Sequence, residues 1–130
     1  MSSAFARSAL ASLVALHGVA HLAGTTDLFS RAGDGRAAEL LTGATADPLT
    51  LRTLGVAWAA VAVAYAFVAA VMWMGARTWS HALGWTTLAS LLLVVISLWA
   101  TVIGLIVDVT LLLVVAVVLV RGRRLAAAAR

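Results

Sequence analysis

The chain has 130 residues, of which 64% are hydrophobic and only 11% charged, with a mean hydropathy of +1.09. A soluble domain of this size cannot hide that much apolar surface, so the solvent for most of the chain must be lipid. The net charge of +4 is no nucleic-acid footprint, because four of the nine basic residues, all Arg, fall in the last ten positions; the absence of Cys excludes disulfides, CxxC redox pairs, thiolate metal sites and a cysteine nucleophile.

The first predicted span runs from about Ala4 to Gly24. Arg7, the apolar run behind it and the small residues Ala20 and Ala23 also resemble a secretory signal peptide, but three further spans follow, which fits a signal anchor that stays in the bilayer. Residues 25–48 read as the one long polar connection, with Asp27, Arg31, Asp34, Arg36, Glu39 and Asp47 spread through it and Gly33, Gly35 and Gly43 as breakers. Within it, Arg36 to Leu41 has the composition of one or two helical turns. Asp47-Pro48 then reads as an N-cap followed by Pro at the first helical position.

A second span covers about 49–75, and its stretch from Leu54 to Gly75 is 22 residues without a formal charge, or about 33 Å of helix. Trp58, Tyr65 and Met72 recur every seven residues and so share one face; Gly55, Ala59, Ala62, Ala66 and Ala69 form a small-residue face suited to close helix approach. Arg77 to Ser80 makes a short turn with Trp79 as an interface anchor. From there to Val120 the one charged residue is Asp108, and a run this long divides into two spans, about 79–100 and 102–120, with a turn near Ala100–Gly104. Thr86, Ser90 and Ser97 share a face of the third span, and Thr101, Gly104 and Asp108 a face of the fourth; both stripes are expected to point inward. Residues 121–130 form a basic tail that stops at the membrane surface. The predicted fold is therefore all-α, a single transmembrane domain of four helices running up-down-up-down.

With four spans both termini share a side, and that side holds Arg7, Arg77, Arg121, Arg123, Arg124 and Arg130 against Arg31, Arg36 and Arg52 on the other. The positive-inside rule then puts both termini in the cytoplasm and the 25–48 loop outside.

The candidate functional residues follow from depth. His17 and His21 are one turn apart on one face of the first span. Counting from Gly24, His21 lies about 5 Å and His17 about 10 Å below the outer boundary, and Asp108 roughly 6–10 Å below the same boundary. His17 and Asp108 are thus expected within direct or one-water hydrogen-bonding reach, inside the bundle near its outer face. Asp27 is expected just above them. Two His and a carboxylate are a metal-ligand set, or a proton relay, or simply a buried structural hydrogen bond with His21 wetted at the interface. His17, His21, Asp108 and Asp27 are the candidate metal ligands, and the cofactor is left open, with a transition metal or a quinone as the two candidates. His81 stands at the opposite, cytoplasmic end of the third span, which disfavours bis-His haem ligation. No residue reads as catalytic: there is no HExxH, GxSxG, P-loop or GxGxxG followed by a helix.

The stretch Leu16-His17-Gly18, with His21-Leu22 and Gly24 after it, resembles the first-span signature of the DoxX-like membrane proteins, small bacterial four-helix proteins with a His-Gly pair at this place. His17 and Gly18 match that pattern, while His21 stands where the family often has Lys. The resemblance implies a polytopic bacterial plasma-membrane protein, in some relatives attached to quinone-linked or thiol-redox systems; without Cys this chain has no direct thiol chemistry. Two functions are expected. One is a non-catalytic accessory or scaffold subunit of a membrane complex, as a homo-oligomer or with other membrane subunits. The other is a redox or transport component with a metal, proton or quinone site at the His/Asp cluster.

Overall fold

The computed structural model describes residues 3–35, 38–39, 45–97 and 102–128. Four helices dominate it: α1 (Ser3–Gly33), α2 (Pro48–Trp73), α3 (Trp79–Ser97) and α4 (Val102–Ala128), with a two-residue strand β1 (Ala38–Glu39) paired antiparallel to β2 (Thr45–Ala46) between α1 and α2. Each helix is long and apolar enough to cross a membrane. In lipid a backbone must satisfy its own polar groups, and runs of Ala, Leu and Val without Pro do so as helix. The single Pro sits at the first turn of α2, where its missing N–H is no loss. Asp47 caps that turn, its Oδ1 accepting from the Thr50 amide at 2.8 Å, and this hydrogen bond holds the Asp47 carboxyl below the usual carboxylate range. At the other end of α2 the chain turns through Gly75 in the left-handed region, φ +74°.

The first helix is longer than the sequence suggests. A polar loop was expected from residue 25, but α1 continues to Gly33, because the polar residues after Gly24 bond within the helix. Thr25 and Thr26 return their hydroxyls to the carbonyls of His21 and Ala23, and Arg31 Nε reaches Asp27 Oδ2, one turn back, at 2.8 Å. Leu28 and Ala32 are buried with Ala46, Leu51 and Trp58 in a small apolar core on this extension. The helical turns expected over Arg36–Leu41 fall mostly outside the described residues, and Ala38–Glu39 within that stretch is extended. The expected turn at 100–104 also falls partly outside them, but α4 has already begun by Gly104. At the C-terminal end α4 runs on to Ala128, so the basic segment continues the helix.

What holds the bundle together is a seam rather than a hydrophobic face. The buried positions of α1 are Ala11, Val14, Gly18, His21, Thr25, Leu28 and Ala32, an alternating three- and four-residue spacing; α2 repeats it through Leu51, Gly55, Trp58, Ala62, Tyr65, Ala69 and Met72. Such spacing gives knobs-into-holes packing between neighbours. The lower core gathers Ala11, Val14, Tyr65, Met72, Leu83, Leu111 and Val115 from all four helices, while Leu13, Leu16, Val63, Phe67, Trp85, Leu92 and Leu113 point outward. The small-residue face of α2 is used only in part. Gly55, Ala62 and Ala69 are buried, Ala59 is half-buried and Ala66 is exposed.

Two glycines of α1 set the closeness of α1 and α2. A Cβ at Gly18 would lie 2.8 Å from Tyr65 Cβ and 3.2 Å from the Ala62 carbonyl oxygen, and one at Gly24 would lie 2.7 Å from the Trp58 ring. The Ala62 carbonyl is backbone and cannot swing away. Gly18→Ala should therefore push the two helices apart and destabilise the bundle by about 1–3 kcal/mol. Gly33→Ala, where nothing lies within 4 Å of the added carbon, should be neutral. Unfolding of the two variants in mixed detergent micelles measures the difference.

Candidate functional site

Each helix contributes polar groups to one junction. α1 brings His17 and His21, α2 brings Tyr65, α3 brings Ser90, and α4 brings Asp108. Asp108, Tyr65 and Ser90 are fully buried and His21 nearly so. His17 Nε2 lies 2.8 Å from Asp108 Oδ1, and the Tyr65 hydroxyl donates to the same oxygen at 3.0 Å. Ser90 Oγ donates to Asp108 Oδ2 at 2.7 Å and lies 3.0 Å from His21 Nε2. Asp108 thus accepts from one side chain on each of the other three helices. The aromatic rings close the site: Tyr65 stacks on His21 at 5.5 Å between centroids and meets His17 edge-on at 5.0 Å, and Trp58 lies against the far side of the junction, 4.8 Å from His21.

With Asp108 as a carboxylate, hydrogen-bond bookkeeping assigns the protons. Ser90 has one proton and gives it to Asp108, so His21 Nε2 must donate to Ser90 Oγ. His21 Nδ1 is then the second ring nitrogen, and it is buried with no hydrogen-bond partner among the described residues. With Asp108 as carboxylate, His17 Nε2–H completes the third donor. Tyr65 and Ser90 are neutral donors, so of the three only His17 can bring a compensating charge. A carboxylate this deep in lipid is costly unless it is both hydrogen-bonded and charge-balanced.

The expected His17–Asp108 contact is present, and His21 joins it. One donor atom from each of His17, His21 and Asp108 lies within 4.8 Å of the others. Asp27, the fourth expected ligand, does not: it belongs to α1 rather than to a loop, more than a turn beyond His21, and its carboxylate is engaged by Arg31. His17 stands near the middle of α1, because Gly24 is not that helix's end, and Asp108 stands about 9 Å along α4 from Val102. His81 is exposed at the start of α3 and takes no part. On α3 the buried polar face carries Thr87 and Ser90; Thr86 is only half-buried. Thr101 and the Ser97 side chain lie outside the described residues.

Sequence reasoning missed Tyr65 as a site residue and gave Ser90 only an inward face. The signal for Tyr65 was its position. It stands in the middle of the uncharged run of α2, where an interfacial Tyr has no interface to anchor to.

No family model, curated protein or solved structure matches the chain.

Asp108 is the group on which the junction turns. Asp108→Leu strands three buried donors and should cost about 3–5 kcal/mol, while Tyr65→Phe, which removes one donor, should cost about 1 kcal/mol. Asp108→Asn keeps an oxygen for His17 and Tyr65 but turns an amide N–H toward Ser90. Ser90 must then donate to His21 Nε2, and the His21 proton moves to Nδ1. Detergent unfolding ranks the first two variants; ¹⁵N spectra of labelled histidines read the His21 tautomer in the third.

Proposed function

We propose that this chain is a small multi-pass component of a transport or redox system in a bacterial plasma membrane, and that its working part is the Asp108 junction, which holds one positive charge against a buried carboxylate. The observation that carries this is the donor set. Asp108 is sealed from solvent, yet among its three donors His17 alone can be cationic. The site therefore exchanges a cation, either the proton on His17 or an ion that replaces it, and membrane-embedded ionisable groups of this kind serve ion pathways, relays and cofactor sites.

An up-down-up-down course with both termini cytoplasmic fits the Arg distribution. It is supported by the pairing of Gly18 with Tyr65, Gly24 with Trp58 and Gly55 with Phe29, in which residue numbers rise on one helix as they fall on the other. Ser90 with Asp108 and Gly84 with Val115 do the same for α3 and α4. A DoxX-like affiliation, carried by His17-Gly18, suits the chain length and span count. One observation favours the accessory-subunit reading instead: α3 presents an apolar strip of Trp85, Leu88, Leu92 and Val95 away from the junction, a surface that a partner helix or a second copy of the chain would cover.

In chelator-treated, ¹⁵N-histidine-labelled protein in nanodiscs at neutral pH, His17 should show the imidazolium signature and lose it in Asp108→Asn; a neutral His17 in the metal-free wild type defeats the charge-balance reading. In a deletion strain, correctly inserted Asp108→Asn should fail to restore what the wild-type chain restores. Full rescue by that variant would leave the accessory reading in possession. A reporter enzyme fused after Arg130 should be active on the cytoplasmic side, and periplasmic activity there overturns the proposed orientation.

A further inference from the structure

One member of the junction, His21, bonds Ser90 but gives the carboxylate no hydrogen bond of its own. Asp108 already receives His17, Tyr65 and Ser90, so the carboxylate needs nothing from His21. Yet His21 is 3% exposed, lies between Tyr65 and Trp58, and its Nδ1 has no hydrogen-bond partner among the described residues. Desolvating a second imidazole and orphaning one of its nitrogens is a cost that a purely structural network would avoid with Leu or Ala at this position. A second imidazole beside a His–carboxylate pair is accounted for when something uses its lone pair.

We propose that His17, His21 and Asp108 form a two-histidine, one-carboxylate site for one divalent first-row transition-metal ion. The inference deepens the reading of this junction as the working part and stands on the positions of the three side chains; a divalent ion would replace the His17 Nε2 proton and leave its second charge to an anionic fourth ligand such as hydroxide. The spacing suits it. His17 and His21 are one turn apart on a single helix with ring centroids at 4.9 Å, and one donor from each of the three ligands lies within 4.8 Å of the others. A shell with metal–nitrogen bonds of about 2.0–2.1 Å spaces its donors roughly 3.4 Å apart, so a contraction of about 1.4 Å or less closes it. Tyr65 and Ser90 then act as outer partners, their hydroxyls aiming the carboxylate.

The donor set also selects the ion. Two imidazoles and one carboxylate suit Zn²⁺, Fe²⁺ or Co²⁺. Ca²⁺ and Mg²⁺ want more oxygen donors than one carboxylate and two hydroxyls supply, and Cu⁺ wants thiolate or thioether, of which the cluster has none.

The test uses Co²⁺ as the probe and the full chain without a polyhistidine tag. Expressed in cobalt-supplemented minimal medium and purified in mild detergent, the protein should carry roughly one Co²⁺ per chain, with the visible bands of a low-coordinate cobalt site. His21→Gln, which keeps a donor for Ser90, should remain monodisperse and helical and reduce bound cobalt roughly tenfold or more. His81→Ala should leave cobalt unchanged. Wild-type protein with only traces of Co²⁺, or cobalt that survives His21→Gln, overturns the inference. Traces of Co²⁺ together with the His17 imidazolium signature would overturn the metal site and leave the charge-balance reading standing; traces of Co²⁺ with a neutral His17 would overturn both.

Discussion

A carboxylate buried in a lipid-embedded bundle has to collect hydrogen bonds from whatever surrounds it, and here one donor comes from each neighbouring helix. That requirement fixes more of the structure than any apolar contact does. Packing in a bilayer cannot draw on the hydrophobic effect to decide which face turns inward, since lipid tails are as apolar as Leu. α4 is the extreme case: it is the least buried of the four spans and packs mainly along α3, through Leu, Val and Ala side chains with no directional preference. Asp108 supplies the direction. Rotating α4 by one residue, or sliding it by a turn, would take the carboxylate away from His17, Tyr65 and Ser90 together.

The same contacts tie the closeness of α1 and α2 to the chemistry. Gly18 follows His17 directly, and the absence of its side chain lets Tyr65 approach until its ring lies against both imidazoles. A bulkier residue at 18 would hold the α2 backbone off and leave the Tyr65 hydroxyl short of Asp108. Gly24 does the equivalent for Trp58, whose ring covers His21. The His-Gly pair is therefore one device, a ligand and the clearance its neighbour needs.

How much of this could be read from the sequence depended on whether a residue stood out against an apolar background. The number of spans, the α2 cap at Asp47-Pro48 and the meeting of His17 with Asp108 were legible, because charged and imidazole groups in such runs have few places to go. The seam was not. In a soluble helix the buried stripe is the apolar one, but here both the lipid side and the core side are apolar, so Thr86 and Thr87 look alike and Tyr65 reads only as one member of a seven-residue repeat with Trp58 and Met72. The end of α1 was lost for the opposite reason. Thr25, Thr26, Asp27 and Arg31 have the composition of a loop, and only their bonds to residues three and four back, with Leu28 and Ala32 buried beneath Trp58, make them helix. Asp27 was misplaced as a ligand by the same error.

Stability alone does not account for the junction. A ring of well-fitted apolar side chains would hold four helices at least as firmly, because replacing a buried ionic cluster by hydrophobic groups of similar volume is often neutral or stabilising. Register accounts for Asp108 with its three donors, for these specify one arrangement out of several of similar packing energy. It accounts less fully for His21, whose bond to Ser90 joins α1 to α3 but which gives the carboxylate no hydrogen bond of its own. All five polar side chains at the junction answer in part to the fold, and His21 is the one of them that keeps a ring nitrogen without a hydrogen-bond partner among the described residues.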